Sequence, residues 1–140
     1  PKPLRGLIPS DATLIVCPDT LIGQWEMEIA KSCTEDEQLT VVRYDSKKKP
    51  SFYSRGQGGG GGSTAALTSK DLAAADVVLT TYKVVSGENA SGGVLQGVHW
   101  RRIALDEMQE LRSSTTAVAK MCEALSADAR WMVSGTPLYN

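Results

Sequence analysis

Two short runs decide how this chain folds: Trp100-Arg101-Arg102-Ile103-Ala104-Leu105-Asp106-Glu107 and Arg130-Trp131-Met132-Val133-Ser134-Gly135-Thr136-Pro137. In the first, an apolar stretch with β-branched Ile103 and neither glycine nor proline stops at two adjacent carboxylates. A buried parallel strand delivers acids to its carboxyl end in this way, and ligands of open α/β sheets bind in the crevice outside those ends. In the second, Arg130 to Val133 reads as a strand that stops at Ser134-Gly135-Thr136-Pro137. Between the two, Val118, Met121, Cys122 and Leu125 recur at i, i+3, i+4 and i+7, the stripe of an amphipathic helix, with Ser113 or Ser114 as its N-cap. Strand, helix, strand predicts a right-handed parallel crossover. Asp106-Glu107 and Ser134-Gly135-Thr136 are then expected at the same edge of one sheet.

Working outward toward the amino terminus, the same alternation recurs. Thr13-Leu14-Ile15-Val16-Cys17 is an apolar strand halted by Pro18. Asp19 or Thr20 is the expected cap of a following helix whose Leu21, Trp25 and Ile29 share one face. Residues 39–44 read as a second β-branched strand. From 45 to 68 the pattern dissolves: Lys47-Lys48-Lys49-Pro50 and the run of glycines from Gly58 to Gly62 are low-complexity. Ordering those glycines costs ~1–2 kcal/mol of backbone entropy each with no side chain to bury, so a flexible Lys/Gly-rich insertion is expected. It is not a phosphate loop, which needs Gly-Lys-Ser/Thr opening a helix. Residues 69–75 read as a short helix capped by Ser69, with Asp71 favourable in its first turn. Residues 76–82 form the next strand, ending in Thr80-Thr81-Tyr82, and residues 86–97 a glycine-rich loop. Apolar strands interleaved with helices predict an α/β fold with a mainly parallel sheet.

Composition excludes several classes. At 41% apolar and 22% charged, the 140 residues suffice for one globular domain with a core. No apolar run approaches the ~20 residues that span a bilayer, so no membrane partner is expected. A net charge of −1 means that any nucleic-acid contact must be local. Cys17, Cys33 and Cys122 lack metal-ligand spacing and read as reduced thiols. His99, the only histidine, has no Ser or Cys motif beside it and no second ligand, and Trp25 reads as the core anchor of its helix. The chain starts at Pro1 and ends inside a motif, which reads as a segment of something longer.

The Asp106-Glu107 run together with Ser134-Gly135-Thr136-Pro137 resembles motifs II and III of superfamily 2 helicases. Their surroundings, Trp100-Arg101-Arg102 and Arg130-Trp131-Met132-Val133 before, and Leu138-Tyr139-Asn140 after, are similar to those of SWI/SNF-type DNA-translocating ATPases. The resemblance covers roughly residues 13–28, 76–85 and 100–140. It implies a three-layer RecA-like lobe, here a partial first helicase ATP-binding lobe (1–140) without the phosphate-loop strand, whose fragment alone is not expected to hydrolyse ATP. It implies ATP and Mg²⁺ as cofactors, with Asp106 on the Mg²⁺ side and Glu107 positioning the attacking water. Where the family continues Ala-His, this chain has Met108-Gln109. Gln109 then takes the third catalytic position, as in a branch that includes proteins with a RING ubiquitin-ligase module. Pro18 with Gln24-Trp25 resembles one nucleic-acid-contacting motif and Thr80, Thr81 and Tyr82 another, while Ser134, Gly135 and Thr136 resemble the element that couples the nucleotide and nucleic-acid sites. The implied partners are double-stranded DNA, a second RecA-like lobe of the same parent chain, and chromatin or ubiquitin machinery, in the nucleus. The competing reading is a degenerate lobe kept as a non-catalytic DNA- or protein-binding scaffold.

Overall fold

The computed structural model describes residues 6–32, 39–45, 51–54, 66–88, 93–107 and 115–134. In chain order these form β1 (Ile8–Pro9), β2 (Thr13–Cys17), a 3-10 turn (Asp19–Leu21), α1 (Ile22–Ser32), β3 (Thr40–Arg43), β4 (Ser51–Ser54), α2 (Ser69–Ala73), β5 (Val77–Thr81), α3 (Tyr82–Gly87), a second 3-10 turn (Leu95–Gly97), β6 (Val98–Asp106), α4 (Thr115–Ala124) and β7 (Ser126–Val133). The strands make one seven-stranded sheet, parallel throughout except where β4 runs against β3. β6 is flanked by β2 and by β7, and β5 lies between β2 and β3. His99 pairs with both Pro9 and Ser126, and a strand has only two edges. β1 therefore lies on the β2 side of β6 as its interrupted continuation.

Each central strand sends alternate side chains into two separate cores, because successive Cβ atoms point to opposite faces. Leu14, Val16, Val42, Val78, Ile103 and Leu105 join one core with Leu72, Val84, Val85, Val118 and Cys122 from α2, α3 and α4. Ile15, Cys17, Val41, Leu79 and Ala104 join the other, which α1 covers with Ile22 and with partly buried Leu21, Trp25 and Ile29. Burial on both faces is why these strands read as continuous apolar runs rather than alternating ones. The result is the expected α/β sandwich of helices, sheet and helices. Truncating fully buried Leu14 at its centre would cost ~2–5 kcal/mol through lost transfer energy and a residual cavity.

The expected strand–helix–strand unit is present: β6 and β7 pair in parallel from His99↔Ser126 to Asp106↔Val133, and Val118, Cys122 and Leu125 are buried. Its proposed caps, Ser113 and Ser114, lie outside the described residues.

Three local expectations are corrected. Neither Asp19 nor Thr20 caps α1. Pro18 (φ −59°) leads straight into the 3-10 turn, with Leu21 N donating to Pro18 O at 3.0 Å. The cap of α2 is Thr68, not Ser69. Thr68 Oγ1 accepts from Asp71 N (3.3 Å) while Asp71 Oδ2 accepts from Thr68 N (2.8 Å), a reciprocal capping box. The Thr68 backbone N–H, then its hydroxyl, holds the Asp71 carboxyl below the ordinary carboxylate range. Finally, residues 45–68 are not wholly without structure, since Ser51–Ser54 pair with β3. The free backbone of β3 offered an edge, and Ser-Phe-Tyr-Ser has the aromatic content to use it. The lysine and glycine runs of this segment lie outside the described residues.

A helix unread in the sequence, α3, starts at Tyr82 because the Thr81 hydroxyl accepts from Val84 N (3.3 Å) and ends the strand there. Gly97 packs so closely on α2 that a Cβ would run into the Ser69 side chain.

A candidate active-site cleft at the carboxyl edge of the sheet

Asp106 is the last residue of β6 and is buried (7% exposed). Its parity with Ala104 turns its side chain toward the α1 layer. There the Trp25 indole Nε1–H donates to Asp106 Oδ2 at 2.8 Å. From the opposite layer, the Tyr82 hydroxyl at the start of α3 donates to the Asp106 backbone carbonyl at 2.8 Å. Burial raises the Tyr82 phenol above its ordinary value, and nearby negative charge, Asp106 included, adds to this; the hydroxyl therefore stays a neutral donor. Among the described residues no lysine or arginine forms an ion pair with Asp106.

Glu107 follows at φ +50°, the left-handed region that a non-glycine residue enters at a steric cost of roughly 1–2 kcal/mol. Its backbone N–H donates to Val133 O at 2.9 Å, tying the turn to the end of β7, and its side chain is buried (8% exposed). The left-handed residue redirects the chain at the strand end while keeping the second carboxylate beside the first. Such strain in a buried acid is found where the surroundings over-determine the conformation, which is common at functional sites.

The acids line a cleft of about 380 Å³ between α1 and the ends of β6 and β7, with Leu21, Gln24, Trp25, Glu28 and Val133 as the other walls. Cys17, at the end of neighbouring β2, is no nucleophile: burial first, then the Asp106 charge, pushes its thiol up to about 12.

The structure unites some predicted residues and separates others. Asp106, Glu107 and Gln24 share the cleft. Pro18 is half-buried at the end of β2, and Ser134 is exposed just past β7. Thr80, Thr81 and Tyr82, expected to touch nucleic acid, are buried and engaged inside: Thr80 Oγ1 donates to Tyr44 O (3.0 Å), Thr81 caps α3, and Tyr82 holds Asp106. In this conformation their hydroxyls are engaged inside the fold rather than facing outward, and of the three it is Tyr82 that contacts Asp106. Gln109, Gly135 and Thr136 lie outside the described residues, as does Met108. Two polar cleft residues on α1, Trp25 and Glu28, are not among the expected site residues, Trp25 being expected as a core anchor. Their spacing on α1 was visible, but that α1 lies over the end of β6 follows only from the strand order.

No cluster of three or more His, Cys, Asp or Glu able to hold an ion occurs among the described residues. Mg²⁺ held with a nucleotide does not need one, since it uses one or two carboxylates plus phosphates and water. A buried carboxylate with one oxygen on a neutral donor fits that role, because its charge remains to attract a cation.

The fold is an α/β lobe with a candidate site at the carboxyl edge of a mainly parallel sheet. The chain belongs to the SNF2-related family: the profile described as SNF2-related domain matches residues 6–140. It is similar to DNA repair protein RAD5A of Arabidopsis thaliana, at 31% identity over 97% of this chain and 12% of that protein. It is also similar to Transcription termination factor 2 of Drosophila melanogaster (33% identity, 91% of this chain, 10% of that protein) and to DNA repair protein rad8 of Schizosaccharomyces pombe (31%, 95% and 11%). The chain thus spans about a tenth of the length of these relatives. Among solved structures it is similar to a Sulfolobus solfataricus SWI2/SNF2 ATPase core in complex with dsDNA, with TM-score 0.60 and 25% identity, covering 97% of this chain and 23% of that one.

Proposed function

We propose that this chain is part of the first ATP-binding lobe of an ATP-dependent double-stranded-DNA translocase of the DNA-repair or chromatin-remodelling kind, acting in the nucleus. The observation that carries this reading is the buried acid pair at the carboxyl edge, Asp106 held by two neutral donors and Glu107 beside it in a left-handed turn. Phosphoryl transfer to water needs a metal positioned against the phosphates and an oriented nucleophile. Asp106 would hold Mg²⁺ directly or through a bound water, and Glu107 would orient or deprotonate the attacking water. Gln109 would complete the catalytic set. ATP would supply the phosphoryl group, and Mg²⁺ would neutralise charge on its oxygens.

Pro18 and Gln24, where β2 passes into α1, would contact the DNA backbone, with Thr80, Thr81 and Tyr82 bracing that edge from beneath. Backbone contact of this kind positions a protein without reading sequence, which suits a motor that must move along any DNA. Ser134, Gly135 and Thr136 would link the two sites, since the chain leaves β7 beside the Glu107 turn. A second lobe of the same parent chain would close over the cleft.

The test is ATP hydrolysis by the full-length protein with and without duplex DNA. Turnover stimulated by duplex DNA is the expected result. Folded full-length protein without turnover in either condition would replace this reading with that of a non-catalytic scaffold.

A further inference from the structure

We propose that Trp25 is a positioning residue for the metal-side carboxylate, its indole N–H fixing Asp106 so that one carboxylate oxygen is set toward the cation. This rests on the reading of Asp106 given above and adds to it a residue that acts through another.

The geometry is specific. The indole Nε1 lies 2.8 Å from Asp106 Oδ2, and both side chains line the same cleft. The ring cannot swing freely, because Trp25 packs with Leu21 and Ile29, one turn before and after it on α1, against the core of Ile15, Cys17, Leu79 and Ala104. An ionised carboxylate is acceptor-only and has two oxygens. The indole occupies one and thereby sets the rotation of the other. A lysine or arginine in the same place would also orient the group but would cancel its charge, and a cation site cannot spare it. A neutral, rigid, single-donor ring orients without neutralising. The Tyr82 hydroxyl does the same for the backbone of this residue from the opposite layer.

The bland alternative is that Asp106 merely satisfies a half-buried indole, as buried tryptophans require. The two differ in what Trp25→Phe does. The phenyl ring keeps most of the packing and loses only the donor. If the bond is structural, stability falls and metal binding does not change. If it positions the carboxylate, metal binding weakens, as it does when an orienting partner of a metal ligand is removed, typically by ~10–100-fold.

The experiment measures Mn²⁺ affinity by electron paramagnetic resonance in full-length protein bound to a non-hydrolysable ATP analogue, for wild type, Trp25→Phe and Ile29→Ala. Trp25→Phe is expected to weaken Mn²⁺ binding about tenfold and to raise by the same factor the Mg²⁺ needed for half-maximal ATP hydrolysis. Ile29→Ala loosens the same helix without touching the donor and is expected to leave Mn²⁺ affinity at the wild-type value. Equal affinity of wild type and Trp25→Phe would overturn the inference alone, as would an equal loss in both variants. Wild-type protein that binds no Mn²⁺ and hydrolyses no ATP would overturn the proposed function and the inference with it.

Discussion

The two ends of β6 carry the same kinds of groups and treat them in opposite ways. At the carboxyl end Asp106 is 7% exposed and is gripped by an indole and a phenol, both neutral. At the amino end, across the pairing with β7, Asp128 has a side chain 52% exposed and is met by an imidazole and a guanidinium. His99 Nε2 lies 2.8 Å from Asp128 Oδ1 and Arg101 Nη1 3.6 Å from Oδ2. A carboxylate only accepts, so His99 Nε2–H donates to it, and the other ring nitrogen lies 2.7 Å from the Ser126 hydroxyl. The amino end is a self-satisfied surface ladder whose acid is already paired. At the carboxyl end the Asp106 carboxylate is oriented by a neutral indole N–H and, among the described residues, forms no ion pair with a lysine or arginine. A histidine, a serine and an aspartate in hydrogen-bonded sequence attract attention by residue type. Burial and neutral hydrogen-bond donors make the other end the candidate site.

The sharpest way to break this contrast is Glu107→Gln in the full-length protein. Loss of a general base typically costs ~10²–10⁴-fold in rate, so turnover should fall at least that far while nucleotide binding, followed by a fluorescent ATP analogue, persists. Unchanged turnover would remove the assigned role.

Burial at this edge also has an alkaline signature. Cys17 is pushed up to about 12 from an ordinary 9.0. Below pH 9 the thiol is protonated in both states; between about 9 and 12 the unfolded chain ionises while the folded one holds its proton. Stability is therefore lost as pH rises through that window, with a limiting slope of about 1.4 kcal/mol per pH unit from this group. Denaturant titrations of full-length Cys17→Ala should show a flatter loss across the window than wild type. An identical slope would mean that the thiol is not held in its neutral form.

Tyr82→Phe removes the donor to the Asp106 carbonyl and leaves that buried acceptor unsatisfied, which should lower stability by about 1–3 kcal/mol. A drop of that size in urea unfolding would place Tyr82 with the inner bracing. No drop would free its hydroxyl for an outward role. Glu107→Gly should be more stable than Glu107→Ala by about 1 kcal/mol, since only the glycine relieves the left-handed strain. The smallest effect belongs to the amino end. Asp128→Asn should cost at most ~1 kcal/mol, as exposed ion pairs do, and should leave DNA-stimulated ATP hydrolysis unaltered. A catalytic defect there would collapse the distinction between the two ends.

Much of this was legible from residue order because buried parallel strands write themselves as apolar runs. β2 coincides with the predicted Thr13–Cys17, and the helical stripe of Val118, Cys122 and Leu125 is buried as its spacing required. The misreadings are local and share a cause. Thr68 rather than Ser69, Pro18 rather than Asp19 or Thr20, and helix rather than loop after Thr81 are each decided by which backbone N–H a neighbouring acceptor reaches. Several hydroxyl-bearing or acidic candidates stand side by side in those places, and sequence does not rank them. The sequence makes Trp25 a core anchor, and it does pack against the α1-side core. Its second task was invisible because its partner lies eighty-one positions away.

The sequence by itself determined the α/β class, the strand–helix–strand unit and the acids at its edge, since each follows from period, length and residue type within a short window. The tertiary structure alone decided that β6 lies beside β2, that even-numbered Asp106 faces the α1 layer, and that Trp25 and Tyr82 reach it from opposite sides of the sheet. The physical reason is that strand order and facing are settled by which apolar faces bury each other across the whole sheet. No local pattern contains that long-range competition.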